Sequence, residues 1–347
     1  MREKMKKQEI DFVVTWLDSN DPEWQKEYNH YKKESESDSD HSAARYRDWD
    51  LFRYWFRAVE LYAPWVHKVF LVTNGTIPQW LNTGHPKLVL VNHKDYIPQE
   101  LLPTFNSCTI ELHMNKIKGL SEQFVYFNDD CYLNGPITPE YYFKNGLPCD
   151  RNKESFFNVA RYSPNDRFNT YISMFTDVGV LNGHFERPNV IKKSLRRWFG
   201  PHLGWSGLFI SCVVTMYRFR RFVGFKARHN EQPFLRSVWD EAWHEEPDML
   251  NKSCTRFRED VILNPYFFRY WQFATNRFHP VNLRGTEKFQ LIPGNVESIK
   301  KALGSRKIKS LCLNDCNFCT DNDFQRIKKV LHECFEKKFP QKSAFEK

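Results

Sequence analysis

The sequence predicts an α/β fold built on a mainly parallel sheet flanked by helices. Three observations predict it. Short apolar runs of strand length recur through the N-terminal half, amphipathic stretches of helical period separate them, and each run ends in polar residues. Such alternation describes a Rossmann-like arrangement, in which ligands bind beyond the carboxyl ends of the strands.

The first run, IDFVVTW (10–16), is rich in β-branched and aromatic residues, and Trp16 and Asp18 stand at its end. The charged, serine-rich segment after it, including KKESESDSDHS, reads as a loop. RDWDLFRYWFRAVELYAPW then sets Leu51, Trp55, Val59 and Tyr62 on one helical face, with Asp48 as the expected N-cap. HKVFLVTNG is a second strand, ending at Asn74, and KLVLVNHKD a third, ending at Asn92, His93 and Asp95. SCTIELHMNKIKGL spaces Ile110, Met114 and Ile117 as a helix that closes near Gly119. EQFVYFNDD is the fourth strand and stops on Asn128, Asp129 and Asp130. Turn chemistry alone accounts for one such ending. Four polar endings on one edge of a parallel sheet are better explained by a site, and an acid pair there suits a metal ion or phosphate.

Residues 150–225 form a basic, aromatic insertion expected to contain helices, with RFNTYISMF, HFERPNVIKKSLRRWFGPHLGW and MYRFRRF. Its Arg196, Arg197, Arg218, Arg220 and Arg221 suit anionic lipid, a polyanionic acceptor or a solvated face. From residue 226 the pattern is again helical, through FLRSVWDEAWHEEPDMLNKS and NPYFFRYWQFATNRF.

A chain of 347 residues, 41% hydrophobic and 16% aromatic, can bury a large core, which excludes wholesale disorder. No repeat of solenoid period is present. Lys plus Arg exceed Asp plus Glu by 51 to 42, and the net charge of +9 favours anionic partners. Zinc-finger and aromatic RNA-binding signatures are missing, so nucleic acid is not an expected partner. The basic opening leads into an apolar run broken by Asp11, unlike a secretory signal. GLFISCVVTMY, from Gly207, is about half a membrane span and reads as a buried element. The expected location is the cytoplasm, with peripheral contact at the inner face of the membrane left open.

Nine cysteines at scattered spacings fit reduced thiols better than a disulfide framework, so the sequons at Asn74 and Asn251 carry no weight. CLNDCNFC spaces Cys312, Cys316 and Cys319 as an iron–sulfur motif of radical enzymes, but too little chain follows to house one. Structural zinc, completed by Cys334 or His332, stays open beside free thiols. RHNEQPF sets His229 beside Arg228, and CTRFRED offers Arg256, Arg258, Glu259 and Asp260. Composition alone gives neither segment a role.

Four blocks nonetheless carry a resemblance. IDFVVTWLDSNDPEW resembles the first block of the Stealth family of sugar-1-phosphate transferases. RYRDWDLFRYWFRAVELYAPWVHKVFLVTNGTIPQWLN, running on to LPTFNSCTIELHMNKIKGLSEQFVYFNDD, resembles the second. RHNEQPFLRSVWDEAW through TRFREDV and YWQFATNRF resembles the third, and LCLNDCNF with FPQKSAFEK the fourth. CLND as family sequence removes the radical-enzyme reading. The family includes bacterial capsular and cell-wall polysaccharide phosphotransferases and the Golgi N-acetylglucosamine-1-phosphotransferase.

The resemblance implies transfer of a hexose 1-phosphate, such as N-acetylglucosamine 1-phosphate, from a UDP-sugar to a hydroxyl of a polysaccharide or lipid-linked glycan, releasing UMP. It implies a divalent metal, Mg²⁺ or Mn²⁺, held by Asp129 and Asp130, with Asp129 also catalytic. His229 is expected as general base, its pKa lowered by Arg228 where their side chains approach and raised by any nearby carboxylate or donor phosphate, and Arg258 as phosphate clamp. Trp16, Asp18 and Asn74 are expected to line the nucleotide pocket, and Ser107, Glu111 and Asn128 to lie near the donor sugar and phosphates. Residues 1–149 then make the first half of the nucleotide-sugar core, 150–225 the acceptor or membrane insertion, and 226–347 the part that completes the site. Residues 150–225, and Glu231 where the pattern calls for Pro, depart from the family and leave acceptor recognition unassigned. The rival functions are a glycosyltransferase that releases UDP and a non-catalytic carbohydrate-binding protein.

Overall fold

The computed structural model describes residues 9–34, 47–156, 170–227, 229–257, 263–316 and 319–347. The four predicted strands are present as β1 (Ile10–Thr15), β2 (Val69–Thr73), β3 (Leu88–Asn92) and β4 (Gln123–Phe127). After them come β5 (Cys131–Leu133), β6 (Phe143–Lys144) and β7 (Leu147–Asp150). The C-terminal part adds β8 (Gln232–Leu235), β9 (His279–Pro280), β10 (Thr286–Gln290) and β11 (Ser310–Asn314).

The main sheet runs β3-β2-β1-β4-β8, parallel throughout except for antiparallel β8. Strand order reverses at β1, so the crevice between the C-terminal ends of β1 and β4 is the topological switch point. β2 and β4 are buried along their whole length, as parallel strands covered on both faces should be. Asp11 interrupts the apolar pattern of β1 for a structural reason. Its buried carboxylate bonds the His67 ring at 2.8 Å and accepts from Lys68 N at 3.1 Å and Ser121 N at 2.8 Å, fixing the entries to β2 and β4.

Two smaller sheets complete the body. One has the order β10-β11-β5 and pairs Cys312 with Cys131; the other joins β6, β7 and β9. The helices are α1 (Pro22–Glu34), α2 (Phe52–Tyr62), α3 (Ser107–Leu112), α4 (Pro139–Tyr142) and α5 (Thr170–His184). Then follow α6 (Arg187–Lys193), α7 (Leu195–Trp198), α8 (Gly204–Met216) and α9 (Arg236–Glu245). The last are α10 (Pro247–Ser253), α11 (Tyr266–Ala274), α12 (Val296–Gly304) and α13 (Asp321–Lys338). One hydrophobic core runs through the described parts of residues 1–149, 150–225 and 226–347 alike, with α11 wholly buried.

Several expectations are corrected. Part of the predicted first loop is α1, whose Trp24 and Tyr28 pack with Phe257 in a separate aromatic cluster; residues 35–46 lie outside the described residues. Asp48 does not cap α2: Leu51 is the N-cap residue, and Asp48 accepts from Asp50 N at 2.6 Å. The helix expected to run on from Ser107 stops at Leu112, where the His113 ring turns back to Thr109 O at 2.9 Å. The stretch from Gly207 is a helix, α8, but not a buried one: Phe209 and Met216 are 69% and 75% exposed.

Candidate active site

Asp130 stands just past β4 and is held from several sides. Its backbone carbonyl accepts from Leu313 N of β11 at 2.8 Å. Its carboxylate accepts from the thiols of Cys131 and Cys312, each at 3.3 Å, and lies 3.5 Å from His229 Nε2. Burial would raise the Asp130 pKa, but the hydrogen bonds and charge of His229, with the two thiols, bring it below the usual carboxylate value. His229 responds in the opposite sense. Burial pulls its imidazole down, yet hydrogen bonds to Asp130 and Cys312 and the charge of Asp130 carry it up to about 10. The carboxylate anticipated as opposing Arg228 is Asp130, and it prevails; Arg228 itself lies outside the described residues.

Asp129 is exposed to solvent, yet desolvation by the protein around it, then the charges of Asp130 and Asp48, push its carboxyl up to about 7. Sequence reasoning missed Asp48 as a site residue. It is delivered there by clamps on both neighbours: Asp315 accepts from Arg47 at 3.4 Å and from Trp49 Nε1 at 3.2 Å. From α13, Lys328 donates to Asp48 O at 2.8 Å, and the His332 ring bonds Trp49 O at 3.0 Å. The clue in the sequence was Asp315, inside the CLND motif.

The residues expected on the donor side form two groups. The Tyr126 hydroxyl donates to Asn128 at 2.5 Å, lies 3.5 Å from Thr15 Oγ1 and also reaches Glu111, joining the ends of β1, β4 and α3. Ser107 is exposed at the start of that helix. Beyond β2 and β3 an open groove of about 740 Å³ is lined by Asn74, Asn92, His93, Asp95, Trp24 and Thr104. Trp16 and Asp18 do not line it. Trp16 stacks on Phe52 at 5.8 Å, and Asp18 accepts from Asn20 N at 2.9 Å. Arg258 lies outside the described residues.

Among the described residues, only Cys312 of the CLNDCNFC motif joins a converging cluster, and its thiol partner is Cys131 from outside the motif. Cys312 meets Cys131 and Asp130, with ligand atoms within 4.8 Å of one another. The Cys131 thiol is pushed well up by its hydrogen bond to Cys312, by burial and by Asp130, so it remains a donor to the carboxylate. A hard cation wants oxygens, and the residues that would offer them here are Asp129, Asp130 and Asp48. An Asp129 carboxyl pushed up by the charges of Asp130 and Asp48 fits such an ion.

The matched relatives decide the family. Residues 45–150 match the model described as Stealth protein CR2, conserved region 2. A capsular polysaccharide phosphotransferase, WcwK, of Streptococcus pneumoniae is 38% identical over 97% of this chain and 99% of its own length. The chain belongs to the Stealth family. An exopolysaccharide phosphotransferase of Lactiplantibacillus plantarum is 36% identical, over 98% of this chain and 96% of its own. The receptor polysaccharide phosphotransferase WefC of Streptococcus oralis is 35% identical, over 97% and 99%. Like these Stealth relatives, the protein is a phosphotransferase, an enzyme.

Proposed function

We propose that the enzyme transfers a hexose 1-phosphate, such as N-acetylglucosamine 1-phosphate, from a UDP-sugar to a glycan hydroxyl in capsular or other cell-surface polysaccharide. The acceptor oxygen attacks the phosphorus next to the sugar, a phosphodiester forms and UMP leaves. The observation that supports it is the acid pair Asp129 and Asp130 past β4, with His229 3.5 Å from Asp130 and the charge of Asp48 acting on Asp129. Phosphoryl transfer depends on alignment and on compensating charge at the phosphoryl oxygens, and this is the equipment it requires.

His229 Nε2 faces Asp130, so the carboxylate orients the ring and stabilises its cationic form, leaving Nδ1 to take the acceptor's proton. A divalent cation on Asp129 and Asp130, Mg²⁺ or Mn²⁺, would offset phosphate charge and draw Asp130's charge away from the imidazole, which must be neutral to act as base. Arg258 is assigned as phosphate clamp on its guanidinium chemistry and the family resemblance. Asn128 and Glu111, tied through Tyr126, hold the donor sugar side, and Asn74 faces the groove assigned to the nucleotide.

Incubation with a panel of nucleotide sugars and capsule fragments tests the reading, with nucleotide products identified by mass. UMP with a phosphodiester product is expected. UDP with a glycosidic bond would make the enzyme a conventional glycosyltransferase instead, and binding without donor consumption would make it a carbohydrate-binding protein.

A further inference from the structure

Helix α8 is turned inside out. Its inward face carries only Gly207 against Lys153, Ser211 donating to Glu154 at 3.2 Å, and Val214, with no large apolar side chain among them. That face covers the buried Arg187–Glu154 ion pair, in which Arg187 Nε and Nη2 each donate to the carboxylate at 2.7 Å. The outward face carries Trp205, Phe209, Cys212 and Met216, at helical spacings of four, seven and eleven residues from the first. Trp205 is 91% exposed, and the stripe continues past the helix through Tyr217 and Phe219, 74% and 42% exposed. Soluble surfaces rarely present so many large apolar groups together. Arg218, Arg220 and Arg221, all exposed, interleave with this apolar end. Only one of their charges is matched by an acid among the described ion pairs, through Arg220 and Glu186 at 2.6 Å.

We propose that α8 and the turn after it dock the protein on an anionic lipid bilayer, lying in the interface plane. Trp205, Phe209 and Met216 enter the headgroup–acyl boundary, while Arg218 and Arg221 meet lipid phosphates. The charge selects the occupant. A second copy of this net-positive chain would bring like charges together at the same patch, whereas an anionic membrane matches both the apolar stripe and its basic border. The chain runs directly from this patch to His229, so docking would set the catalytic face near membrane-borne acceptors. The docking inference stands on surface geometry and not on the proposed reaction.

The test is co-sedimentation of the full-length protein with phosphatidylglycerol-containing and pure phosphatidylcholine vesicles, with hydrogen exchange followed across residues 204–219. Binding to the anionic vesicles alone, weakened by salt, with protection confined to that segment, is expected. Trp205→Ser with Phe209→Ser should lower partitioning at least tenfold, and Arg218→Glu with Arg221→Glu should abolish the preference for anionic lipid. Donor turnover on a soluble acceptor should be unchanged in both. Failure of the wild type to bind anionic vesicles overturns the proposal. So does concentration-dependent dimerisation, without vesicle binding, that the same substitutions abolish.

Discussion

At the residue scale, Asp130 and His229 form a pair whose titration can be read directly. The folded imidazole titrates at about 10 against 6.5 for an unperturbed group. Its stabilisation of the fold is therefore fully present below about pH 6.5 and lost as pH rises through about 10. Replacing Asp130 by Asn removes the charge that opposes burial, so His229 in metal-free Asp130→Asn should titrate back toward or below 6.5. NMR of the imidazole resonances measures this, and an unchanged titration would separate the two groups. Turnover of that variant and of His229→Ala should fall by about 10²–10⁴-fold. The His229→Ala variant should still bind the UDP-sugar by calorimetry.

Asp129 carries the opposite sign. Its carboxyl loses its proton near 3.8 when unfolded but at about 7 when folded, so stability falls as pH rises between those values. Asp129→Asn should thus melt higher than wild type at pH 8 in chelator, while losing turnover by orders of magnitude. A lower melting temperature at that pH would show that the carboxylate is not under electrostatic pressure. The acid pair was legible in the sequence as the end of a strand, although turn chemistry alone could place it there. The thiols that bond Asp130 were not. Cys312 reaches it only because β11 pairs with β5, a contact between distant parts of the chain.

At the scale of elements, buried ion pairs hold the middle of the chain to the sheet. Arg187 and Glu154 are almost fully buried, and Arg187 also donates to Thr215 at 3.1 Å, joining α6, α8 and the strand exit after β7. Arg187→Met leaves a carboxylate without its partner in a dry site and should cost about 3–5 kcal/mol in urea unfolding. The double variant with Glu154→Leu should recover much of that loss; no recovery would mean the cost is packing. The parallel strands were readable from their β-branched runs, and α2 from its period. What failed was the sense of α8. An apolar helix is ordinarily turned inward, and nothing local in GLFISCVVTMY shows that its inner neighbours are Lys153 and a buried salt bridge. α1 was missed because its aromatic face is matched by Phe105 and Phe257, which lie far along the chain.

At the scale of the whole molecule, the site is assembled by closing the C-terminal part over the N-terminal sheet. Arg57 of α2 meets Glu346 at 2.8 Å and donates to Phe339 O at 2.7 Å, while Asn82 N donates to Phe345 O at 2.8 Å. The same closure brings α13 and the residues after β11 onto residues 47–49, and so brings the charge of Asp48 to bear on Asp129. Asp315 is the keystone of that contact, since its carboxylate accepts from the residues on both sides of Asp48. It touches no reacting atom and acts only by position. Asp315→Ala should therefore lower divalent-ion affinity and turnover by about 10–100-fold, as loss of a group that orients a ligand does. It should leave the pH titration of His229 in the metal-free protein unchanged, because that is governed by Asp130 and Cys312. Asp315→Asn keeps one acceptor oxygen for Trp49 and should recover part of the affinity. Calorimetric titration with Mg²⁺ or Mn²⁺ beside imidazole NMR makes the distinction. If the His229 titration shifts together with metal affinity, Asp315 supports the whole catalytic edge rather than Asp48 alone.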